Sequence, residues 1–282
     1  MWYLCYFLHR HLDFRRQEVQ ALADTCGCGK EIEWRIPVAG NEDSPFWYIN
    51  IPMESQAVSI GRRAMLVKGI YEVWGEGTTW EECAEEIKKY PEERITPYTK
   101  ENTTFKVVVE GFGKSITREE QMSYIHSMTF IDFQGKVSIK NAEHTFSLIK
   151  AADPTTNNGL LGDILQERFY FGREVAVCDR SVIPKYNLSQ RDFIGSTSMD
   201  PELSFMMCNM TGVEKGSLVL DPFVGTGSIL VSASHKGAYV IGAPHTEPAA
   251  ASHGPPQLRG RTICHLPVQR FTLPVSRVTD PS

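Results

Sequence analysis

The sequence predicts an α+β region followed by the start of an α/β unit. Three observations carry this. Within the first 150 residues the order strand, helix, strand, strand is written twice, in segments rich in β-branched and aromatic residues separated by capped helical runs. Leu218 to Gly242 then reads as a strand, a glycine loop, a short helix and a second strand, the order of a βαβ unit. After Gly242 the composition changes abruptly: seven of the sixteen prolines fall in Ala243 to Ser282, lysine is absent there, and neither helical nor strand periodicity continues.

The apolar opening run Trp2 to Leu8 lacks a basic leader, is too short to span a bilayer and runs into His9, Arg10 and His11 without a small-residue cleavage site. It is read as a first strand. A helix follows, then two strands at Glu31 to Val38 and Phe46 to Ile51. Thr79-Trp80-Glu81-Glu82 is a capping box, and Cys83, Ile87 and Tyr90 recur at helical spacing until Pro91 stops the run. Phe105 to Glu110 is a strand by composition. Thr117 with Glu120 is a second capping box, opening a helix to about Met128. Lys136 to Leu148 is expected to form a hairpin with Asn141 near its turn.

Residues 151 to 166, with Asp153-Pro154 and Asn157-Asn158-Gly159, are expected to be a loop, so that a first region of residues 1–150 is followed by a linker over 151–190. Phe169 to Val177 is one further strand candidate. Asp200-Pro201 starts a helix, since Asp caps free amides and Pro suits the first helical position; Leu203, Met206, Met207 and Met210 are its expected buried stripe. The α/β unit occupies 191–242, and 243–282 is expected to be a disordered tail.

A net charge of −5 excludes a polybasic protein that grips nucleic acid by bulk electrostatics. Residues 103 to 191 are the least acidic part and permit an RNA face there. The seven cysteines are odd in number and scattered, and none forms the C-x-x-C pair of a zinc or redox site; Cys26-Gly27-Cys28 is too tight for a usual zinc knuckle. No metal is expected, and a reducing compartment fits best.

The segment with chemical content is Leu218-Val219-Leu220-Asp221-Pro222-Phe223-Val224-Gly225-Thr226-Gly227-Ser228. A strand that ends in an acidic residue and turns through two glycines lets the backbone approach a ligand, because neither glycine presents a Cβ. Amides at the start of the next helix then face that ligand. A bare Gly-x-Gly also occurs in turns that bind nothing, but Asp-Pro-Phe-x-Gly-Thr-Gly is far more restrictive, and no Gly-Lys-Ser/Thr follows to make a phosphate loop.

This motif is similar to the first motif of S-adenosylmethionine-dependent amino-methyltransferases. With Ser44-Pro45-Phe46-Trp47, Val67-Lys68-Gly69-Ile70-Tyr71-Glu72-Val73-Trp74-Gly75, Phe169-Tyr170-Phe171-Gly172-Arg173 and Arg191-Asp192-Phe193-Ile194-Gly195-Ser196-Thr197-Ser198-Met199-Asp200, the chain resembles the THUMP-containing family of catalytic subunits of tRNA (guanine-10-N2)-methyltransferase from about residue 3 to 242. The resemblance implies a ferredoxin-like plus THUMP tRNA-binding region in the first 150 residues and the start of a Rossmann-like methyltransferase domain after it. It implies S-adenosyl-L-methionine as cofactor, tRNA and a small zinc-binding methyltransferase activator protein as partners, a cytoplasmic setting and no membrane. Phe193, Thr197, Ser198, Asp221, Gly225, Thr226 and Gly227 are the implied cofactor residues. Lys106, Lys114, Arg118, Lys136 and Lys140 are candidates for RNA phosphate contacts.

Two features of that family are not written here. Where an acidic residue would hold the ribose, roughly 20 residues past the glycines, stand Ala243, Pro244 and His245. No Asp/Asn-Pro-Pro-Tyr/Phe loop follows to orient a base amine, so no catalytic residue is assigned. A chain of this kind is expected to be a truncation, an alternative splice product or a frame change in the gene model, catalytically incomplete, with an exposed apolar sheet face. A tRNA-binding fragment without chemistry and a non-functional isoform stand as alternatives.

Overall fold

The computed structural model describes residues 1–37, 42–157, 160–187 and 198–242, with backbone alone at 153–157 and 160–166. The chain divides into two compact units, Met1–Arg180 and Ser181–Ser282.

In the first unit the strands β1 (Trp2–Phe7), β2 (Glu33–Arg35), β3 (Phe46–Asn50), β4 (Val67–Gly77), β5 (Thr104–Phe112), β6 (Lys136–Val137), β7 (His144–Asn157) and β8 (Leu160–Val177) form a single sheet in the order β2-β3-β1-β4-β8-β7-β5-β6. The helices are α1 (Arg15–Thr25), α2 (Glu54–Arg63), α3 (Trp80–Lys89), α4 (Glu92–Thr99) and α5 (Arg118–Ser127). Period-two alternation sends successive side chains to opposite faces. In β1, Tyr3, Cys5 and Phe7 join a core with Val19 and Leu22 of α1 and Ala57 and Ile60 of α2, whereas Leu4 and Tyr6 belong to a different cluster. Farther along the helical face, Trp74, Phe146, Leu148, Phe169 and Phe171 pack with Trp80, Cys83 and Ile87 of α3.

The other face is closed by the sheet itself. Its cluster of Leu4, Tyr6, Phe46, Tyr48, Tyr71, Ile149, Ala151 and Tyr170, with Phe112 against it, is drawn from strands alone. Four strands stand between β3 and β5, about 24 Å if the sheet were flat at roughly 4.8 Å per strand, yet the rings of Phe46 and Phe112 are 5.5 Å apart. Coiling of this degree follows the natural twist of strands. It turns the face without helices into a concave pocket filled by its own aromatic rings, each lined up edge-on or tilted as in Tyr6–Phe46 at 4.7 Å and Phe46–Tyr170 at 5.2 Å.

Both halves of the unit share this sheet because β4 pairs with β8. The joint is charged and buried. Glu72 of β4 accepts from Arg173 of β8 at 2.7 and 3.0 Å, from Arg94 of α4 at 2.6 and 2.8 Å and from the Tyr90 hydroxyl at 2.9 Å. Arg173 also reaches Glu54 of α2 and lies 4.0 Å from the centre of the Tyr98 ring. Gly172 beside it is required by close approach, since a Cβ there would fall 2.0 Å from the Glu72 carbonyl oxygen.

Three expectations are corrected. Lys136 to Leu148 is not a hairpin: β6 and β7 both pair in parallel with β5, one on each side, with α5 as the crossover. The expected linker carries strand instead, β7 running on to Asn157 and β8 from Leu160 to Val177, paired antiparallel, with a register shift at Pro154 to Thr156 where proline leaves the ladder without a donor. The reciprocal capping box at Thr79 is half formed. Thr79 accepts from the Glu82 amide, but the Glu82 carboxylate accepts from Thr78, whereas Thr117 and Glu120 form the full box.

The second unit holds α6 (Val182–Lys185), α7 (Pro201–Met210), β9 (Leu218–Asp221), α8 (Ser228–His235) and β10 (Tyr239–Gly242). Asp200 caps α7 by accepting from the Glu202 amide at 2.7 Å. Its buried side is Phe205, Met206 and Cys208, while Met207 of the expected methionine stripe is exposed. The strands β9 and β10 pair in parallel from Leu218 opposite Tyr239 to Asp221 opposite Gly242, the expected βαβ unit. The tail 243–282 lies outside the described residues.

Candidate functional site

The glycine loop sits at the carboxyl end of β9, where ligands bind in open α/β sheets. Asp221 ends the strand, and its Oδ1 accepts from the Phe223 amide at 2.9 Å, which folds the following residues into a tight turn. Gly225 and Gly227 have φ of +51° and +76°, conformations that an L side chain adopts only at a cost. A Cβ built at Gly225 would meet nothing nearer than 4.0 Å and one at Gly227 nothing nearer than 3.8 Å. Among the described residues, then, nothing crowds either glycine. Gly227 caps α8 without a side-chain bond of its own, and the first turn of that helix carries no acidic residue.

A second segment is tied to this loop. Ser228 is buried, and its hydroxyl donates to the Met199 carbonyl at 3.1 Å and lies 3.4 Å from the Thr226 hydroxyl. Ser198, next to Met199, has a buried hydroxyl with no hydrogen-bond partner among the described residues. An orphaned buried hydroxyl costs about 1–3 kcal/mol, so it is a group that a polar ligand would satisfy. Of the residues singled out by sequence, Ser198, Asp221, Gly225, Thr226 and Gly227 are thus placed in one short stretch of structure, while Phe193 and Thr197 lie outside the described residues. Ser228 was not singled out. Its signal was position alone, the residue just inside a helix that starts at a glycine.

One face of this two-stranded sheet packs inward, Val219 and Val240 meeting Cys208, Val213, Ala233 and Ala238. The other face is bare: Leu218 is 69%, Leu220 65%, Tyr239 52% and Ile241 48% exposed, as expected for an apolar sheet face without a covering layer.

In the first unit the basic candidates divide by location. Lys136 lies opposite Thr104 in the β5–β6 register, so it shares a sheet face with Lys106, two residues on along β5. Lys106 faces the Glu174 carboxyl, whose pKa burial raises and this lysine lowers. Lys114 follows the far end of β5 and Arg118 opens α5, both exposed; Lys140 follows β6. β5 has nine residues, about 27 Å of strand at roughly 3.3 Å each. The five charges are therefore spread widely enough to meet several phosphates and too widely to surround one. Of the other quoted motifs, Glu72 and Arg173 are the buried joint described above, and the Ser44 carbonyl accepts from Arg15 at 2.9 Å and the Trp47 indole at 3.0 Å, both structural tasks.

Among the described residues no helix is long and apolar enough to cross a membrane. Residues 1–180 match the family described as the Tmrp11 THUMP N-terminal domain, and residues 189–252 match the RMKL-like methyltransferase domain. The chain is 38% identical over 242 residues to the tRNA (guanine(10)-N(2))-methyltransferase TRMT11 of Gallus gallus, covering 85% of this chain and 50% of that protein. To the tRNA (guanine(10)-N(2))-methyltransferase of Saccharomyces cerevisiae it is 34% identical over 241 residues, covering 85% and 54%. It spans about half the length of the curated relatives it matches. Among solved structures it is similar to TrmN from Thermus thermophilus, at 15% identity and a TM-score of 0.44 over 86% of this chain and 65% of that one.

Proposed function

This chain belongs to the family described as the Tmrp11 THUMP N-terminal domain, and on that premise we propose that it holds tRNA for methylation of a guanine N2 by S-adenosylmethionine. The observation that carries the reading is the Asp221–Gly227 loop, with no described residue crowding either glycine and the helix α8 behind it. Asp221, Gly225, Thr226 and Gly227 would hold the cofactor, with the unpartnered Ser198 hydroxyl beside them. Phe193 and Thr197 are proposed from the resemblance alone. S-adenosylmethionine, when bound, supplies an electrophilic methyl group.

What these residues do is bind and orient. The α8 amides and the loop backbone would meet polar cofactor atoms, and the Ser228 bond to Met199 would keep the two lining segments together. The transfer itself needs a group that accepts from the exocyclic amine, because that nitrogen lone pair is delocalised into the ring. The 282 residues contain no Asp/Asn-Pro-Pro-Tyr/Phe loop to do this. The proposal for these 282 residues is therefore the holding step. The first unit would hold tRNA, with Lys106, Lys114, Arg118, Lys136 and Lys140 on phosphates. The cytoplasm and the small zinc-binding activator are the proposed setting and partner of the whole enzyme.

A second reading, a piece without function of its own, is favoured by one observation, the bare face of Leu218, Leu220, Tyr239 and Ile241. A gel-shift titration of the purified chain with an unmodified tRNA transcript, run beside a tritiated-methyl transfer assay, separates the two. Retention of tRNA without incorporation supports holding; aggregation with no retention at low salt overturns it. Calorimetric titration with S-adenosylmethionine should give weak binding, and tight one-to-one binding would contradict the proposed incomplete enclosure.

A further inference from the structure

We propose that Cys26 and Cys28 are a reversible redox site, closing to a disulfide with each other when a small-molecule disulfide oxidises them. Both are thiols in the structure. The spacing that is too tight for a zinc knuckle is within reach of this bond.

The turn that holds them follows from the way α1 ends. Gly27 takes a φ of +76°, a conformation that glycine adopts freely. Its amide donates to the Asp24 carbonyl at 3.0 Å, and the Cys28 amide reaches back to the Ala23 carbonyl at 2.9 Å, the paired bonds that close a helix through a left-handed glycine. This bends the chain between the two cysteines. Two links of roughly 3.8 Å folded in this way set their Cα atoms about 5.5 Å apart, inside the range of roughly 4.4–6.8 Å that a disulfide spans. Their side chains also turn toward one core: Cys28 belongs to the cluster of Val19, Leu22 and Ala23, and Cys26 packs against the same cluster.

Exposure separates their roles. Cys26 is half-buried and open to a reagent in solvent, whereas Cys28 is fully buried, and burial raises its thiol pKa. The Cys26 thiolate attacks the oxidant first, forming a mixed disulfide and releasing one thiol. The Cys28 thiolate, held next to it, then attacks the Cys26 Sγ and expels the second thiol. The pair loses two electrons and two protons, and the oxidant gains them as two thiols. Only adjacent cysteines would close a smaller ring, so the bond removes little chain entropy, is strained and is readily reduced again. Closure draws Cys28 from its seat in the core. The Cys26 carbonyl accepts from Gln56 of α2 at 3.3 Å, so oxidation loosens α1 against α2.

Trypsin releases Gln17–Lys30, a peptide that carries these two cysteines and no other. The full chain is equilibrated in mixtures of reduced and oxidised glutathione, its remaining thiols are alkylated, and that peptide is weighed by mass spectrometry. Expected is an unalkylated peptide lighter by two hydrogens, dominant in excess oxidised glutathione and abolished by dithiothreitol, with a urea midpoint that falls on oxidation and recovers on reduction. Cys28→Ser should stop at a glutathione adduct on Cys26. Cys26→Ser changes a half-buried side chain and keeps the test valid should Cys28→Ser fail to fold; its Cys28 should stay unmodified in the folded chain and take up glutathione in urea. The proposal is overturned by a parent peptide that stays alkylated on both sulfurs, stops at the glutathione adduct or cross-links to Cys5, the other thiol of that core. An oxidised chain as stable as the reduced one, or ready modification of Cys28 in folded Cys26→Ser, overturns it equally.

Discussion

The Ser228 hydroxyl donates to the Met199 carbonyl oxygen across 3.1 Å, so the first turn of α8 grips the chain that enters α7. Removing the hydroxyl in Ser228→Ala costs about 1 kcal/mol as a lost buried hydrogen bond and frees the Ser198–Met199 segment from the loop. The expected outcome is a lower melting midpoint together with weaker binding of S-adenosylhomocysteine by calorimetry. Unchanged affinity would show that this tie does not shape the proposed cofactor site.

Glu72 is fully buried and serves two arginines, whereas the Glu54 side chain is 40% exposed and serves one. Glu72→Ala leaves Arg173 buried with half its partners gone, a change that costs about 3–5 kcal/mol in comparable buried pairs. Glu54→Ala should cost less, since the Glu54 carboxylate is partly screened by water and Arg173 keeps the buried Glu72. Urea unfolding of both variants checks the ranking, and equal midpoints would refute the role of Glu72 as the joint between β4 and β8.

His144 of β7 has its pKa lowered from the usual value, first by burial and then by the nearby Arg173; its ring lies edge-on to Tyr98 at 5.2 Å. The unfolded chain takes up the proton at a higher pH than the folded one, so this group adds stability above about pH 6.5 that is lost as the pH falls through the folded value. The difference in urea midpoint between parent and His144→Gln should shrink or reverse from pH 7.5 to 5.5. A pH-independent difference would exclude the linkage.

Leu218 and Ile241 stand exposed on one sheet face with no partner in their own core cluster. The double change Leu218→Thr and Ile241→Thr keeps β-branched or strand-compatible side chains while removing apolar surface. Dye binding to exposed apolar surface and light scattering should both fall, with circular dichroism unaltered. A loss of secondary structure would mean that these side chains are buried in solution.

Lys106 and Lys136 share a sheet face near the start of β5. Replacing each with Gln should weaken tRNA retention evenly across tRNA sequences and lower the slope of log affinity against log salt by about one per lost phosphate contact. A slope identical to the parent's removes these two from the proposed RNA surface.

The sequence by itself determined what depends on near neighbours along the chain. Thr117 and Glu120 cap α5 because they are three residues apart, Asp200 caps α7 because its carboxylate reaches the amide two residues on, and Asp221 to Gly227 turns between a strand and a helix because Gly225 and Gly227 can take positive φ. Only the tertiary structure decided which strands meet. Whether β7 pairs with β6 or with β5, whether residues 151–157 and 160–166 form loop or ladder, and whether Phe46 touches Phe112 across four intervening strands depend on long-range choices that no local window contains. Ser228 is the same lesson at the scale of the site. Its residue type and place in α8 are local, but its partner Met199 is 29 residues away, and only the packing of α7 against α8 brings the two together.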